Sequence, residues 1–390
     1  MTTASKQKGS HFVYEIEGLR GILAMWVFIS HLMWGSGFIP ENVTGLWSVL
    51  FSGGSAVTVF ICISGFVIFL LLDSKKDSYP KYIIKRFFRL YPIFILTTLI
   101  GAILFLLHLG ILGGNYQGPN VFVRSPEYYE HQTKVFLFHA LMFQGFLHDL
   151  GPIVLNPPSW SISLEWQFYL IAPILFFLLK RWWGATALAL VFASIMKNLL
   201  HPSGILNVHG ATLIDQIIPF TVGMLSYKLY QQRHYCENSA FIGTLIVFLL
   251  LIALNSFLPF IISIFSSHQQ VPLPSYIPFV IWSSVFLSII ARVGSSDSDG
   301  VNIISRFLRH PLFQLLGKLS YSIYLVHQLV IFIFLLFAGS FILRFSPVVA
   351  FFFESLILIP ISLGLAFATN IFVERPFINL GRRLTQKRSS

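Results

Sequence analysis

Long apolar runs separated by short polar loops dominate this chain. The runs at 18–34, 47–72, 92–112, 165–179, 183–200, 212–230, 242–264, 276–293, 319–340 and 349–373 are read as about ten membrane crossings. Each is near the length at which a helix spans a bilayer core, roughly 20 apolar residues. The apolar piece at 135–147 is too short to cross comfortably and is expected to be re-entrant or interfacial. Residues 1–18 are polar and lead into the first run without a small-residue cleavage site, so no cleavable signal peptide is expected. The expected fold is all-α: one polytopic domain over 1–390, with short polar tails at about 1–15 and 377–390.

Composition strengthens this reading. Hydrophobic residues make up 55% of the chain and charged residues only 11%. Soluble domains carry roughly 25% charged residues, so a soluble globular class is excluded. The net charge of +11 raises the question of nucleic acid, but the basic residues sit in the short loops between apolar runs. That distribution follows the positive-inside rule instead, and no nucleic-acid partner is expected. Loop 73–91 holds Lys75, Lys76, Lys81, Lys85, Arg86 and Arg89, and the end of the chain holds Arg375, Arg382, Arg383, Lys387 and Arg388. Loop 35–46 has neither Lys nor Arg. Both termini are therefore expected in the cytoplasm. Cys62 and Cys236 form no disulfide framework. With no CxxC, HExxH or clustered ligand set, no metal is expected, and neither a nucleophile elbow nor a Walker A loop is present.

Ionisable residues inside apolar runs then become the candidates, because each costs about 2.5–3.5 kcal/mol to insert. Arg20 and His31 stand eleven positions apart, close to three helical turns, so they share a face about 16 Å apart along the axis. One reading is a snorkelling arginine and a histidine bonded to another helix. The other is a polar path with an anion at its mouth and a proton acceptor at its end. The segment "KYIIKRFFRLYP" places Lys81, Lys85, Arg86 and Arg89 on a basic surface, suited to anionic lipid or to bidentate phosphate contacts, and Pro92 is expected to start the third span. "NPPSWSISLEWQFYL" breaks at Pro157 and Pro158 and then carries Glu165 into an apolar run. A lone carboxylate there needs a partner, for which His31 is the guess; the alternative is a hydrogen bond to backbone freed by the prolines. Tyr321, Tyr324 and His327, at i, i+3 and i+6, form a polar-tipped stripe that also suits plain core packing. Asp215 and Glu354 are further intramembrane acids without a readable motif.

Taken in order, these motifs resemble the acyltransferase-3 family of integral membrane O-acyltransferases. "LRGILAMWVFISH" is similar to its first-span arginine and histidine, here Arg20 and His31. "FICISGFVIF" resembles its second-span pattern, and "RFFRLYP" its RxxR segment, with Arg86 and Arg89. "WSISLEWQFYL" resembles its tryptophan, Ser-Leu, glutamate and Phe-Tyr motif, giving Trp160, Ser163, Leu164, Glu165, Phe168 and Tyr169. "LGKLSYSIYLVHQ" and "ERP" are similar to its C-terminal signatures. No SGNH esterase domain is expected to follow, unlike in some members.

The resemblance implies transfer of an acyl group, usually acetyl from acetyl-CoA, to a hydroxyl of a cell-surface glycan or glycolipid. It implies acetyl-CoA as a co-substrate rather than a permanently bound cofactor, and the bacterial cytoplasmic membrane as the location. On it, Arg20, Arg86 and Arg89 are expected to hold the donor's phosphates. His31 is the expected general base or acyl carrier, and Glu165 is expected to orient its imidazole or stabilise its charge. Trp160, Tyr169 and His327 are the candidates for acceptor contacts. A transporter or flippase of a lipid-linked or anionic solute is the competing reading, since intramembrane charges suit it as well.

Overall fold

The structure, a computed structural model, describes residues 13–38, 51–75, 77–112, 132–146, 155–200, 212–232, 276–293, 303–342 and 344–386. The expected span at 242–264 and Cys236 lie outside these residues. Every described element is helical. They are α1 (Tyr14–Gly35), α2 (Gly53–Ser74), α3 (Tyr79–Leu112), α4 (Gln132–Ala140), α5 (Ser159–Leu200), α6 (Ile217–Gln232), α7 (Tyr276–Val293), α8 (Ile303–Leu308), α9 (Pro311–Ile342), α10 (Pro347–Thr369) and α11 (Arg375–Thr385). A short 3₁₀ turn, Gln144–Phe146, follows α4, and a π-helical turn, Asn370–Glu374, joins α10 to α11. Six helical stretches among the described residues are long and apolar enough to cross a membrane, and the shorter apolar stretch Ile277–Ile289 lies in α7. The chain is thus an all-α membrane protein.

Two differences from the sequence reading have local causes. Pro92 does not open the third span; α3 starts at Tyr79 and runs through Pro92 to Leu112, so the basic RxxR segment and the apolar run form one helix. Membrane helices tolerate an interior proline because neighbouring helices re-satisfy the freed backbone. The runs at 165–179 and 183–200 form one long element, broken only at Trp182, whose backbone leaves the helical region at φ −135° and ψ 54°.

The helices that position the site are held by close backbone approach. α1 packs along α9. A Cβ at Gly21 would meet backbone atoms of Phe313 and Gly317, and one at Gly317 would meet the Glu17 carbonyl. Farther along, Gly35 faces Ile331 and Leu335. The residue offset stays near constant, so α1 and α9 run parallel. α2 and α6 form a second parallel pair, where Gly65 abuts Phe220 and Gly223 abuts Cys62. Between helices already in lipid there is little hydrophobic drive, so such glycine contacts let dispersion act between backbones. Phe28, Leu32, Ile323, Val330 and Leu358 fill the α1–α9–α10 interior. On α10, Phe352 and Leu356 are exposed, at 66% and 76%, as expected of a helix that turns one face to lipid.

Candidate active site

Arg20 and His31 both lie on α1, which is helical without interruption between them. Arg20 is partly exposed, and among the described residues it forms no ion pair. His31 is also partly exposed. Its Nδ1 is 2.8 Å from Nε2 of His327 on α9. The two rings meet edge to edge across this contact, with centroids 5.1 Å apart and planes 11° from parallel. His327 is fully buried, and its Nδ1 lies 2.9 Å from the Ile323 carbonyl oxygen one turn back. Phe28 closes the other side, 5.3 Å between ring centroids.

Among the described residues Glu165 forms no bond to His31, whose ring meets His327 instead. The Glu165 carboxylate accepts hydrogen bonds from Ser64 Oγ on α2, at 3.3 Å, and from the Tyr169 hydroxyl. The i, i+4 spacing of Glu165 and Tyr169 on one helix face makes the second bond a local event. The Tyr169 ring in turn lies beneath the guanidinium of Arg86, 5.8 Å from its carbon, a cation–π arrangement. The Nε of Arg86 is buried and has no hydrogen-bond partner among the described residues. Ser161, one turn before Glu165, shares a 2.8 Å hydrogen bond with the Tyr324 hydroxyl. Trp160 is half-buried and packs against the main core.

Arg89 has a different environment. Its Nη1 pairs with Glu374 Oε1 at 2.7 Å, and Glu374 is buried in the π-helical turn. The second oxygen of Glu374 accepts from Ser322 Oγ at 3.0 Å and from Asn370 Nδ2 at 2.8 Å. Tyr321 lies under Arg89, 5.9 Å from its ring centre, and donates its hydroxyl to the Leu90 carbonyl at 2.6 Å. Each oxygen of this carboxylate therefore has at least one donor, cationic on Oε1 and neutral on Oε2, which is what a buried acid requires.

The polar groups form a column. Along α9, Tyr321 marks the level of Arg89, Tyr324 the level of Ser161, and His327 the level of His31. Six residues from Tyr321 to His327 correspond to about 9 Å of helix rise. Along α5 the order is reversed: Ser161, then Glu165, then Tyr169 beneath Arg86. The arginines occupy one end of the column and the histidine pair the other. Such a column offers anion binding at one end and proton chemistry at the other. Among the described residues no cluster of His, Cys, Asp and Glu that could hold a metal is formed.

The family described as "Acyltransferase domain" matches residues 13–370. This chain belongs to the acyltransferase-3 family. The match takes in α1 to α10 and stops short of Glu374. Acyltransferase MdmB of Streptomyces mycarofaciens is 31% identical over 183 residues, 45% of this chain and 43% of that relative. The matched region thus spans less than half the length of MdmB. No solved structure matches the chain.

Within this acyltransferase-3 fold the site residues from six motifs fall into three contact groups: Arg86 with Tyr169, Glu165 and Ser64; Arg89 with Glu374, Ser322 and Asn370; and His31 with His327. Arg20 and Trp160 stand apart from these bonds. Sequence reasoning missed Glu374 as a site residue. The "ERP" signature was its signal, an acid entering a basic membrane edge. It also missed His327 as the neighbour of His31, although the tyrosine–histidine stripe pointed to that helix face.

Proposed function

We propose that this chain is a multi-pass membrane O-acyltransferase. It moves an acyl group, acetyl from cytoplasmic acetyl-CoA, to a hydroxyl of a cell-surface glycan or glycolipid in the bacterial cytoplasmic membrane. Membership of the acyltransferase-3 family carries the acyl-transfer part of this reading. The relative's name as an acyltransferase agrees with it. Acetyl and the glycan rest on the motif resemblance.

Arg20 and Arg86 are the donor's anchors, because neither forms an ion pair among the described residues. Arg89 contributes the guanidinium face left over from Glu374. An extended pantetheine arm then reaches along the column from the arginines to His31, about 16 Å of helix rise from Arg20. The acceptor's O–H gives its proton to the His31 imidazole while its oxygen bonds to the thioester carbonyl carbon. The C–S bond breaks, and the sulfur leaves with that proton as free CoA thiol. Glu165 acts through Tyr169 on the shape of the donor channel beneath Arg86, and Trp160, next to Ser161 and nearer the histidine end, borders the acceptor.

The test is turnover of radiolabelled acetyl-CoA by detergent-purified protein, with and without crude envelope glycan. His31→Ala is expected to abolish CoA release and transfer while donor binding persists. Label trapped on wild-type protein but absent from His31→Ala would assign an acyl-histidine in place of general-base transfer. Wild-type transfer by His31→Ala sinks the His31 role, and folded protein that neither binds nor turns over acetyl-CoA sinks the enzyme reading in favour of a transporter.

A further inference from the structure

The ring nitrogens at the end of the column define a proton order. His327 Nδ1 faces the Ile323 carbonyl oxygen at 2.9 Å. A carbonyl only accepts, so His327 Nδ1 must carry a hydrogen. His327 is fully buried, and among the described residues no carboxylate bonds to it, so a doubly protonated ring would be an uncompensated charge in an apolar interior. The neutral ring then presents a lone pair at Nε2. That lone pair faces Nδ1 of His31 at 2.8 Å. Two lone pairs do not face each other at this distance, so His31 Nδ1 carries a hydrogen and donates it. A neutral imidazole has one N–H. The lone pair of His31 is therefore on Nε2, which has no hydrogen-bond partner among the described residues, on a residue that is partly exposed.

We propose that His327 is a positioning residue: it fixes His31 as the Nδ1–H tautomer and so directs the basic Nε2 towards the substrate. This rests on the reading of His31 as the base. When Nε2 takes the acceptor's proton, His31 becomes an imidazolium whose Nδ1–H stays bonded to His327 Nε2. No proton crosses to His327; the bond spreads the new positive charge towards a lone pair and, behind it, a backbone carbonyl. The ring planes are within 11° of each other, so the bond lies close to both planes and rotation of the His31 ring would break it. A neutral histidine here fills the place that a carboxylate fills behind other catalytic histidines. A buried carboxylate would have to stay ionised in the membrane interior, which is costlier than a neutral acceptor whose own N–H is already satisfied.

The test compares three variants of the full chain in detergent or bilayer, with acetyl-CoA turnover on crude envelope glycan and acetyl-CoA binding measured separately. His327→Gln keeps an acceptor oxygen near the Nε2 position; His327→Leu removes it at similar volume; His31→Ala removes the base. The expected result is a fall in kcat of roughly 10- to 100-fold for His327→Leu, the size of one hydrogen bond to a charged group. The KM and Kd for acetyl-CoA should stay within about twofold, and His327→Gln should recover most of the loss. Equal loss in the Gln and Leu variants, or no loss in the Leu variant, overturns the proposal while His31→Ala remains inactive. If instead His31→Ala is active, the base reading has failed, and the tautomer is judged separately by ¹⁵N NMR of histidine-labelled protein. A protonated Nδ1 and an unprotonated Nε2 at His31, lost in His327→Leu, upholds the geometry; a protonated Nε2 in the wild type overturns it.

Discussion

Two arginines three residues apart in one helix are asked to do different work. Arg86 stacks over Tyr169 and leaves its Nε without a partner, whereas Arg89 is paired with the buried Glu374. Arg86→Ala is therefore expected to raise the Kd for acetyl-CoA about tenfold or more with little change in thermal midpoint, since it removes a cation that forms no ion pair among the described residues. Arg89→Ala strands a buried carboxylate and should lower stability by about 3 kcal/mol. The double change Arg89→Ala with Glu374→Gln should recover part of that loss. Thermal unfolding of detergent-purified protein reads both. Glu354 offers the opposite case: it is fully buried, and among the described residues both its oxygens lack a hydrogen-bond partner. Glu354→Gln should leave the midpoint unchanged or raise it, whereas Glu374→Gln alone should lower it, though the chemistry of the two changes is identical. A drop at Glu354 as large as that at Glu374 would mean that the carboxylate is compensated after all.

At the scale of elements, the site depends on how closely α1 and α9 approach. A Cβ at Gly317 would lie 2.0 Å from the Glu17 carbonyl oxygen, a backbone atom that cannot turn aside, so neither helix can yield without moving as a unit. Gly317→Val is expected to cost at least the roughly 1–3 kcal/mol of an overpacked core. By separating α1 from α9 it should also loosen the bond between His31 and His327 and reduce turnover beyond what stability explains. Gly364 in α10 has nothing within reach of an added Cβ. Gly364→Ala should be neutral or stabilising by about 0.5–1 kcal/mol, the ordinary gain in a helix interior. Paired midpoints and specific activities of the two variants check this. The proline-interrupted α3 matters in the same way: its continuity through Pro92 ties the arginines rigidly to the transmembrane part of the bundle.

For the whole molecule, the decisive quantity is orientation. α1 and α9 run parallel, so their starts, near Arg20 and Gly317, emerge at one face. The arginine end of the column should be cytoplasmic, where acetyl-CoA and the basic loops are expected together. In a Cys236→Ser background, the buried Cys62 should not react. Ser74→Cys should then be labelled by a membrane-impermeant maleimide only after the cells are opened, and Ser36→Cys from outside intact cells. Labelling of both positions from outside would reverse the orientation and remove the donor's access to Arg86.

The class of the protein and the alphabet of its site are legible in the linear chain. Apolar runs long enough for a bilayer, basic loops between them and ordered motifs placed Arg20, Arg86, Arg89, Glu165 and His31 among the residues of interest, because those signals are local in the chain. The partners were not local. His31 and His327 are 296 positions apart, and Arg89 and Glu374 are 285 apart. Periodicity reports which face of its own helix a residue occupies, not which other helix lies opposite. Glu165 looked like the natural partner of His31 because both are polar residues stranded in apolar runs. Only the packing of α9 against α1 put a second histidine there and left Glu165 to Ser64 and Tyr169. Helix choice at a packed interface is set by backbone approach at glycines such as Gly21 and Gly317, a property of two segments together that neither one carries alone.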